Sequence, residues 1–326
     1  MANPNVGQEV AAQWQAVIGD KPEDNIFDEY SMLALLEKNK PAAETGGRSA
    51  IGTIEYAVNT TVAAISDTEQ LTVTRVNVFD EAEYVWRQYA GDFVISTYEE
   101  AINRGASRKI DLLAGKAENL RQSMRAQINS DLFAAGTGFG GKSLGGLQVI
   151  VPDSPTTGTR GGINAATYTF WRSQQTSGAK TTSDYDNLRS AMRTINVACS
   201  RGQGVTAPTH FMTGPTTCNG FESLLIANER VVSKTDPGAI NAGIDDNAYM
   251  FKKAKVLWDD DCSDTRMYAL RFGQNGVRLA YQSGHWMKAY PAVNPANQLL
   301  DVVKVESICQ LVSFNPRHLG VITSIS

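Results

Sequence analysis

The sequence has no excess of basic residues and no long apolar run. Its 326 residues carry 30 lysines and arginines against 34 acidic residues, a net charge of −4. Proteins that hold nucleic acid by neutralising its phosphates need a basic surface, so this composition excludes that class. No apolar stretch approaches the roughly 18 residues that cross a bilayer. The start at Met1 lacks the basic and apolar regions of a secretory signal, so we expect neither export nor a membrane partner.

The chain also lacks the residue patterns of metal sites and of nucleophilic catalysis. Its four cysteines contain no C-x-x-C pair and are expected to be buried free thiols; they are Cys199, Cys218, Cys262 and Cys309. The three histidines are far apart in sequence, and no serine lies in a G-x-S-x-G turn; the histidines are His210, His285 and His318. The sequence therefore predicts no enzyme activity, no metal and no cofactor.

What the chain does contain is one long helical pattern over residues 108–135. Apolar residues recur there at steps of three and four, which is the helical period; they are Ile110, Leu113, Ala117, Leu120, Met124, Ile128 and Leu132. The stripe is narrow, so we expect a half-exposed helix that lies across a sheet or a neighbouring subunit. A core helix of an ordinary globular domain is the alternative.

Residues 51–79 are typical of extended structure because β-branched residues alternate along them. The pattern breaks at 66–70, which predicts a long two-stranded hairpin with its turn there. Each arm would span about 45 Å. A lone hairpin is marginal in water, so this one needs another surface to pack on. Two strands of a larger sheet remain the alternative interpretation.

The rest of the chain predicts a mixture of short helices and strands. Helices are expected at 8–18, 26–36, 184–198 and 215–228, the helix at 184–198 burying Tyr185, Leu188, Met192, Ile195 and Val197. Strands are expected at 147–151, 210–213, 255–258, 267–272, 277–281 and 299–314. Helix, strand and helix within 184–228 indicate a compact α/β region.

Two short motifs suggest ligands. Gly136-Thr-Gly-Phe-Gly-Gly-Lys142-Ser143 matches the phosphate-binding pattern G-x-x-x-x-G-K-[ST]. That pattern works when a strand precedes it and a helix follows, whereas here a helix precedes it and a strand is predicted to follow.

Asp259-Asp-Asp261 with Asp264 is a candidate for a hard cation, but it lacks the glycine and distal glutamate of a calcium loop. A solvated turn is the simpler interpretation.

Taken in order, the pieces resemble the major capsid proteins of tailed bacteriophages, which have the Hong Kong 97-type fold. The resemblance covers essentially the whole chain. It is carried by the segment from Leu147 to Arg172, which contains Gly161-Gly-Ile and Phe170-Trp-Arg172. It is carried also by Gly284-His-Trp286 and by Asn315-Pro-Arg317-His-Leu-Gly320.

The resemblance implies an α+β chain in five parts. An N-terminal arm would cover 1–47 and an extended β-hairpin loop 48–92. A peripheral domain with the long spine helix would cover 93–179, an axial domain 180–295, and closing strands of the peripheral domain 296–326. Arm and hairpin would lie on neighbouring subunits, with intersubunit contacts expected at Trp14, Ile54, Tyr56, Val58, Val73, Val76 and Val78.

The function implied is that of a structural subunit. It would self-assemble through hexamers and pentamers into an icosahedral virion capsid that encloses double-stranded DNA without sequence-specific binding. Assembly would take place in the bacterial host cytoplasm with a separate scaffolding protein, a portal and a cement protein as partners. Some relatives cross-link a lysine of the hairpin loop to a neighbour, but no lysine lies between Lys40 and Lys109, so we expect a shell without that bond.

Two alternatives stay open at this point. An encapsulin-like compartment shell would share the same fold, and fold alone does not separate the two. A nucleotide-binding enzyme would use Gly136 to Ser143.

Overall fold

The computed structural model describes residues 31–39, 42–70, 73–102, 112–180, 186–202, 206–227, 244–245 and 248–325. Within them the helices are α1 (Ser31–Lys38), α2 (Thr97–Ile102), α3 (Leu112–Phe133), α4 (Leu147–Ile150), α5 (Asp186–Cys199) and α6 (Pro215–Ala227). The strands are β1 (Ala42–Glu44), β2 (Ser49–Glu55), β3 (Phe79–Val85), β4 (Arg87–Ser96), β5 (Thr159–Arg160), β6 (Ile163–Asn164), β7 (Gln174–Lys180), β8 (His210–Thr213), β9 (Ile244–Asp245), β10 (Ala248–Phe251), β11 (Ala254–Trp258), β12 (Met267–Leu270), β13 (Val277–Gln282), β14 (Lys288–Ala289), β15 (Leu300–Ser313) and β16 (Gly320–Ile325). The mixture of helices and sheets confirms the predicted α+β class.

A five-stranded sheet is built around β15. This 14-residue strand pairs antiparallel with β4 from Leu300↔Ser96 to Cys309↔Arg87, and with β13 and β14. β1 adds a parallel strand beyond β13. The predicted long strand near 299–314 is therefore confirmed, whereas β4 was not predicted as a strand.

The long helix α3 lies across β4. It has 22 residues, or about 33 Å at 1.5 Å per residue. A Cβ at Gly91 would lie 2.7 Å from Leu120 Cδ1, so the missing side chain is what lets helix and strand approach. Met124, Ile128 and Leu132 are buried, while most other residues of the helix are half-buried or exposed. The half-exposed helix over a sheet is confirmed for this segment; Ile110 lies outside the described residues.

A seven-stranded sheet has the order β7-β16-β12-β8-β11-β10-β9. α5 packs on β7 and β16, where Gly320 leaves room for Ile195 and the Cys199 sulfur. Leu188, Met192 and Ile195 are buried as predicted, and Tyr185 lies outside the described residues. The inward placement of Val197 is wrong, because Val197 is 68% exposed. It is two residues beyond Ile195, or about 200° around the helix, and so faces the opposite side.

The segment predicted as a strand at 147–151 is a helical turn instead. Gly146 lies directly on the carbonyl oxygens of Asp131, Leu132 and Ala134 at the end of α3, where no Cβ fits. Its own carbonyl oxygen accepts the N–H groups of residues 149 and 150 at 3.0 and 3.3 Å. A short, mostly apolar segment such as Leu147-Gln-Val-Ile suits a buried turn as well as a strand, so periodicity alone does not separate them.

Each of the two sheets takes strands from both sides of the predicted domain boundary at 296. β13 precedes residue 296 but pairs with β15 in the five-stranded sheet. β16 follows residue 296 but pairs with β12 and β7 in the seven-stranded sheet. The two sheets are thereby tied together by chain crossings, and the division at 180 and 296 stays a prediction.

Candidate assembly surface

The predicted hairpin exists, with a shorter regular ladder than expected. β2 and β3 pair antiparallel from Ser49↔Val85 to Glu55↔Phe79, a register that centres on residue 67. The predicted turn is confirmed, because the Ser66 carbonyl oxygen accepts the Glu69 N–H at 3.1 Å. One further bond joins the Tyr56 N–H to the Val78 oxygen at 3.0 Å. Residues 57–70 and 73–77 lie beyond the regular ladder, so the paired arms are only about half the predicted length.

The base of the hairpin is fixed to the body of its own subunit by Tyr84. Its hydroxyl donates to the Ser313 carbonyl oxygen at 2.7 Å, and its ring meets Phe314 edge-on with centroids 5.9 Å apart. Burial raises the pKa of Tyr84, so the hydroxyl remains a donor. Gly52, on the partner strand, lies against the same Phe314 ring where no Cβ fits. Both strands of the hairpin are thus held at one point.

A second support comes from the loop at 155–172. Arg160 is almost completely buried and donates to the carbonyl oxygens of Pro155 and Thr157 at 2.8 and 3.0 Å, and Trp171 Nε1 donates to the Arg160 oxygen at 2.9 Å. Burial lowers the pKa of Arg160. Gly161, at φ 54°, lies under the Tyr84 ring and accepts the Glu83 N–H through its oxygen at 3.0 Å. The sequence segment that carried the resemblance therefore braces the hairpin.

The distal hairpin, by contrast, presents apolar side chains to solvent. Val58 and Val73 are 83% and 98% exposed, and Val76 and Val78 are half-buried. Tyr56 is half-buried against Phe170, with ring centroids 5.7 Å apart. The intersubunit role of these five residues stays a prediction. Val62 and Ile65 are also exposed and were not predicted, because the alternating pattern weakens before the turn.

Two predicted contact residues have a different status. Ile54 is 5% exposed and belongs to the core of its own subunit together with Ala82, Tyr84 and Trp171. It therefore has almost no surface left for a neighbour, and its prediction as an intersubunit contact needs revision. The alternation of apolar residues along β2 correctly predicts a strand. It does not show which face of the strand packs on its own subunit. Trp14 lies outside the described residues.

The phosphate-like motif does not form a phosphate cradle. The N–H groups of residues 141 to 145 are all bonded to protein acceptors, namely the oxygens of Thr137 and Gly138, the Tyr89 hydroxyl and Gln310 Oε1. Tyr89 in turn donates to buried Asp131 at 2.7 Å. These N–H groups already donate to protein acceptors, and the Asp131 carboxylate lies behind them. Such a site is unfavourable for binding an anion. The geometry gives no support to a nucleotide site.

The aspartate cluster is structural as well. Asp259 is buried and accepts the N–H of Met32 at 3.0 Å and Asn129 Nδ2 at 2.9 Å. Asp264 Oδ1 accepts the N–H of Thr216 at 2.9 Å at the start of α6, which is the role of a helix cap. Within the described ranges no group of three or more His, Cys, Asp or Glu residues is placed to hold a metal ion.

The histidines have ordinary structural surroundings. Burial lowers the pKa of His210 to about 4, and its ring meets Phe272 edge-on. Burial also lowers the pKa of His318, whose Nδ1 lies 2.7 Å from the Cys199 oxygen. His285 Nδ1 lies 3.3 Å from Glu306 Oε1. The three histidines are not brought together.

Among the helices that the structure describes, none has the length and apolar character needed to cross a bilayer.

The four cysteines are buried and free, as predicted. Burial raises the pKa of Cys199 and Cys309 to about 12 and of Cys218 to about 11, and it raises that of Cys262 as well. Because the thiolate is the reactive form, we expect the folded subunit to react with Ellman's reagent at pH 8 more than about a hundredfold more slowly than the unfolded chain. Four equivalents should react after denaturation. A thiol that reacts rapidly in the native protein contradicts this burial.

No protein-family model matches the sequence, and a search of curated proteins finds no match either. Solved structures do match over the whole chain. A capsid protein of cyanophage A-1(L) aligns with 100% of this chain and 97% of its own, at 19% identity and a TM-score of 0.68. The SrpI encapsulin of Synechococcus elongatus PCC 7942 aligns with 100% and 97%, at 13% identity and 0.61. The capsid of Myoviridae phage XM1 aligns with 95% and 96%, at 10% identity and 0.61. Such low identities establish the fold alone, and that fold is the Hong Kong 97-type capsid fold.

Proposed function

We propose that this chain is the structural subunit of an icosahedral phage capsid. It assembles through hexamers and pentamers into a shell that encloses double-stranded DNA. The observation that carries the proposal is the capsid fold itself, which aligns over 95–100% of this chain and over 96–97% of the two phage capsid chains. The subunit acts by packing rather than by catalysis, and needs no cofactor.

The hairpin supports this proposal. Its base is held by Tyr84 and Phe314, while apolar side chains such as Val58 and Val73 face solvent. Exposed apolar side chains on an anchored projection suit contact with another copy. Many weak contacts of this kind, repeated around a closed shell, give a stable assembly. Tyr56, Val58, Val73, Val76 and Val78 are the residues that we assign to these contacts, with Trp14 of the arm.

The charge and the division of the chain fit the same role. A net charge of −4 suits a shell wall that encloses DNA without sequence-specific binding. The arm at 1–47, the hairpin loop at 48–92, the peripheral parts at 93–179 and 296–326 and the axial domain at 180–295 form one subunit of the virion. Assembly takes place in the bacterial host cytoplasm with a separate scaffolding protein, a portal and a cement protein.

A second candidate is the shell of an encapsulin-like compartment. The match to the SrpI encapsulin favours it, because that chain aligns over its full length at a similar TM-score. The two functions differ in what the shell encloses. A phage capsid contains nuclease-protected double-stranded DNA, whereas a compartment contains protein cargo.

The test is negative-stain electron microscopy of the purified protein, expressed with and without a scaffolding protein. We expect closed shells, tubes or six-fold capsomers. Nuclease-treated particles from infected or induced cells should retain double-stranded DNA; protein cargo without DNA supports the compartment instead. A monomer under every condition overturns both. On a denaturing gel the particles should give one band near 35.3 kDa, because no lysine lies between Lys40 and Lys109, and a covalent ladder contradicts that expectation.

A further inference from the structure

Phe139 has a backbone conformation that its side chain disfavours. It lies at φ 52° and ψ 36°, in the left-handed region, within the short turn Gly138–Gly141. For a bulky residue this conformation is unfavourable, because it brings the Cβ too close to the following carbonyl oxygen. Gly140 and Gly141, which follow it, also have positive φ, but glycine adopts such angles freely. A glycine at position 139 would therefore suit the turn better.

The subunit gains little from the phenyl ring in return. Phe139 is 64% exposed, so most of its apolar surface stays in water. A residue that is both strained and exposed is explained neither by folding nor by packing within one chain. Strain of this kind persists at functional positions, where the surrounding structure maintains it.

The turn is also held rigidly in place. The N–H groups of Lys142 and Ser143 donate to the Gly138 oxygen at 3.1 and 3.2 Å, and that of Leu144 donates to the Tyr89 hydroxyl at 2.9 Å. Behind them, Tyr89 donates to Asp131 at 2.7 Å. The backbone that carries the ring is thus held in place. An exposed aromatic on a pre-ordered loop is typical of a binding anchor, because little entropy remains to be lost on contact.

A second copy of the chain carries a surface of matching chemistry. Its distal hairpin exposes Val62 and Val73 at 83% and 98%, and its turn contains Asp67 and Glu69, both exposed. The loop around Phe139 carries an exposed lysine, Lys142, and no acidic residue between 136 and 146. The apolar side chains of the hairpin match the Phe139 ring, and its carboxylates match the Lys142 ammonium. The two surfaces are therefore complementary both in apolar character and in charge.

We propose that Phe139 is an intersubunit anchor that binds a second copy of this chain, with Lys142 beside it. The motif that resembles a phosphate-binding loop is then a contact loop, and its glycines serve the turn that presents the ring. This inference rests on the proposed shell function, and it gives the distal hairpin of one copy a counterpart on the next copy, namely the turn that presents Phe139.

The first test separates folding from assembly. Asn tolerates the left-handed region, so Phe139→Asn relieves the strain while it removes the ring. The unassembled variant should melt at the wild-type temperature or about 1–3 °C above it, and its yield of shells should fall at least tenfold. Phe139→Tyr keeps the ring and should assemble normally. Wild-type assembly by Phe139→Asn overturns the proposal, as does an unassembled variant that melts lower.

The second test identifies what the residue touches. The photoreactive amino acid p-benzoylphenylalanine replaces Phe139, and purified shells are irradiated. We expect a covalent dimer of the chain on a denaturing gel, which the dilute unassembled subunit should not give. Absence of a dimer, or a cross-link only to a scaffolding or cement protein, overturns the proposal.

The failure of this inference is distinguishable from the failure of the proposed function. If the wild type forms no shells under any condition, the proposed function itself fails. If the wild type forms shells and Phe139→Asn does too, only this inference fails.

Discussion

Subunits that carry Val73→Asp are expected to fold normally and to form no closed shells. Val73 is 98% exposed in the single subunit, and substitutions at such positions usually change stability by less than about 0.5 kcal/mol. If the side chain packs on a neighbour, the new carboxylate loses its water at each contact, which costs several kcal/mol. A shell repeats that cost at every subunit. The yield of shells, measured by sedimentation and electron microscopy, should therefore fall to background.

The matched control is Val73→Thr. Threonine keeps the branched shape and introduces no charge, so this variant should assemble with at most a moderate loss. Both variants should have the circular dichroism spectrum and melting temperature of the wild type. Normal shells from Val73→Asp would show that residue 73 remains in solvent after assembly, and the intersubunit hairpin would have to be abandoned.

Trypsin offers an independent measure of the same contact. Arg75 is exposed, and it is the one lysine or arginine between Arg48 and Arg87. A single early cut in the distal hairpin should therefore occur in free subunits. If a neighbour covers the hairpin as proposed, that cut should slow down strongly in assembled shells. Equal cleavage rates in both states contradict the burial of the hairpin.

The second large effect is expected from Asp259→Ala, which should destabilise the folded subunit by about 3–5 kcal/mol. The Asp259 carboxylate accepts the Met32 N–H at the start of α1 and the Asn129 amide from α3, at 3.0 and 2.9 Å. It also accepts the N–H of Asp261 at 3.2 Å. Alanine leaves the buried Met32 N–H without this acceptor, and Asn129 Nδ2 keeps only its bond to Asp261 Oδ2 at 2.7 Å. Each buried hydrogen bond lost to a carboxylate costs about 1–3 kcal/mol.

Urea unfolding followed by tryptophan fluorescence measures this change as a shift of the midpoint. Asp260→Ala is the matched control, because Asp260 is the exposed neighbour of Asp259 and should cost less than about 0.5 kcal/mol. Asp259→Asn retains one acceptor oxygen and should fall between the two. Equal midpoints for the two alanine variants would mean that the carboxylate does not join α1 to α3.

The sequence was sufficient for elements with strong periodicity. The stripe through Met124, Ile128 and Leu132 predicted α3, and dense β-branched residues predicted β15. Strand β7 was missed because Gln174–Lys180 contains almost no apolar side chain. It is a strand because it pairs in parallel with β16, about 146 residues further along the chain, and such pairing leaves no local pattern.

The candidate surface was predictable in outline but not in detail. The break at 66–70 located the hairpin turn, and alternation identified its valines. Which of them face the body depends on Tyr84, Phe314 and Trp171, which approach β2 and β3 from distant parts of the sequence. For the same reason Asp259 looked like a solvated turn, since its partners Met32 and Asn129 are 227 and 130 residues away.

The anchoring of the hairpin by Ser313 and Phe314 has a consequence for synthesis on the ribosome. The hairpin is translated early, but Ser313, which accepts the Tyr84 hydroxyl, comes 229 residues after Tyr84. At about 5–20 residues per second that interval lasts about 10–45 s. Throughout it β4 lacks β15, and the hairpin lacks its anchor at Ser313 and Phe314. A chain that stops before residue 300 has neither β15 nor this anchor. If the hairpin packs on a neighbour as proposed, we expect prematurely terminated products to stay out of the shell without any separate proofreading factor.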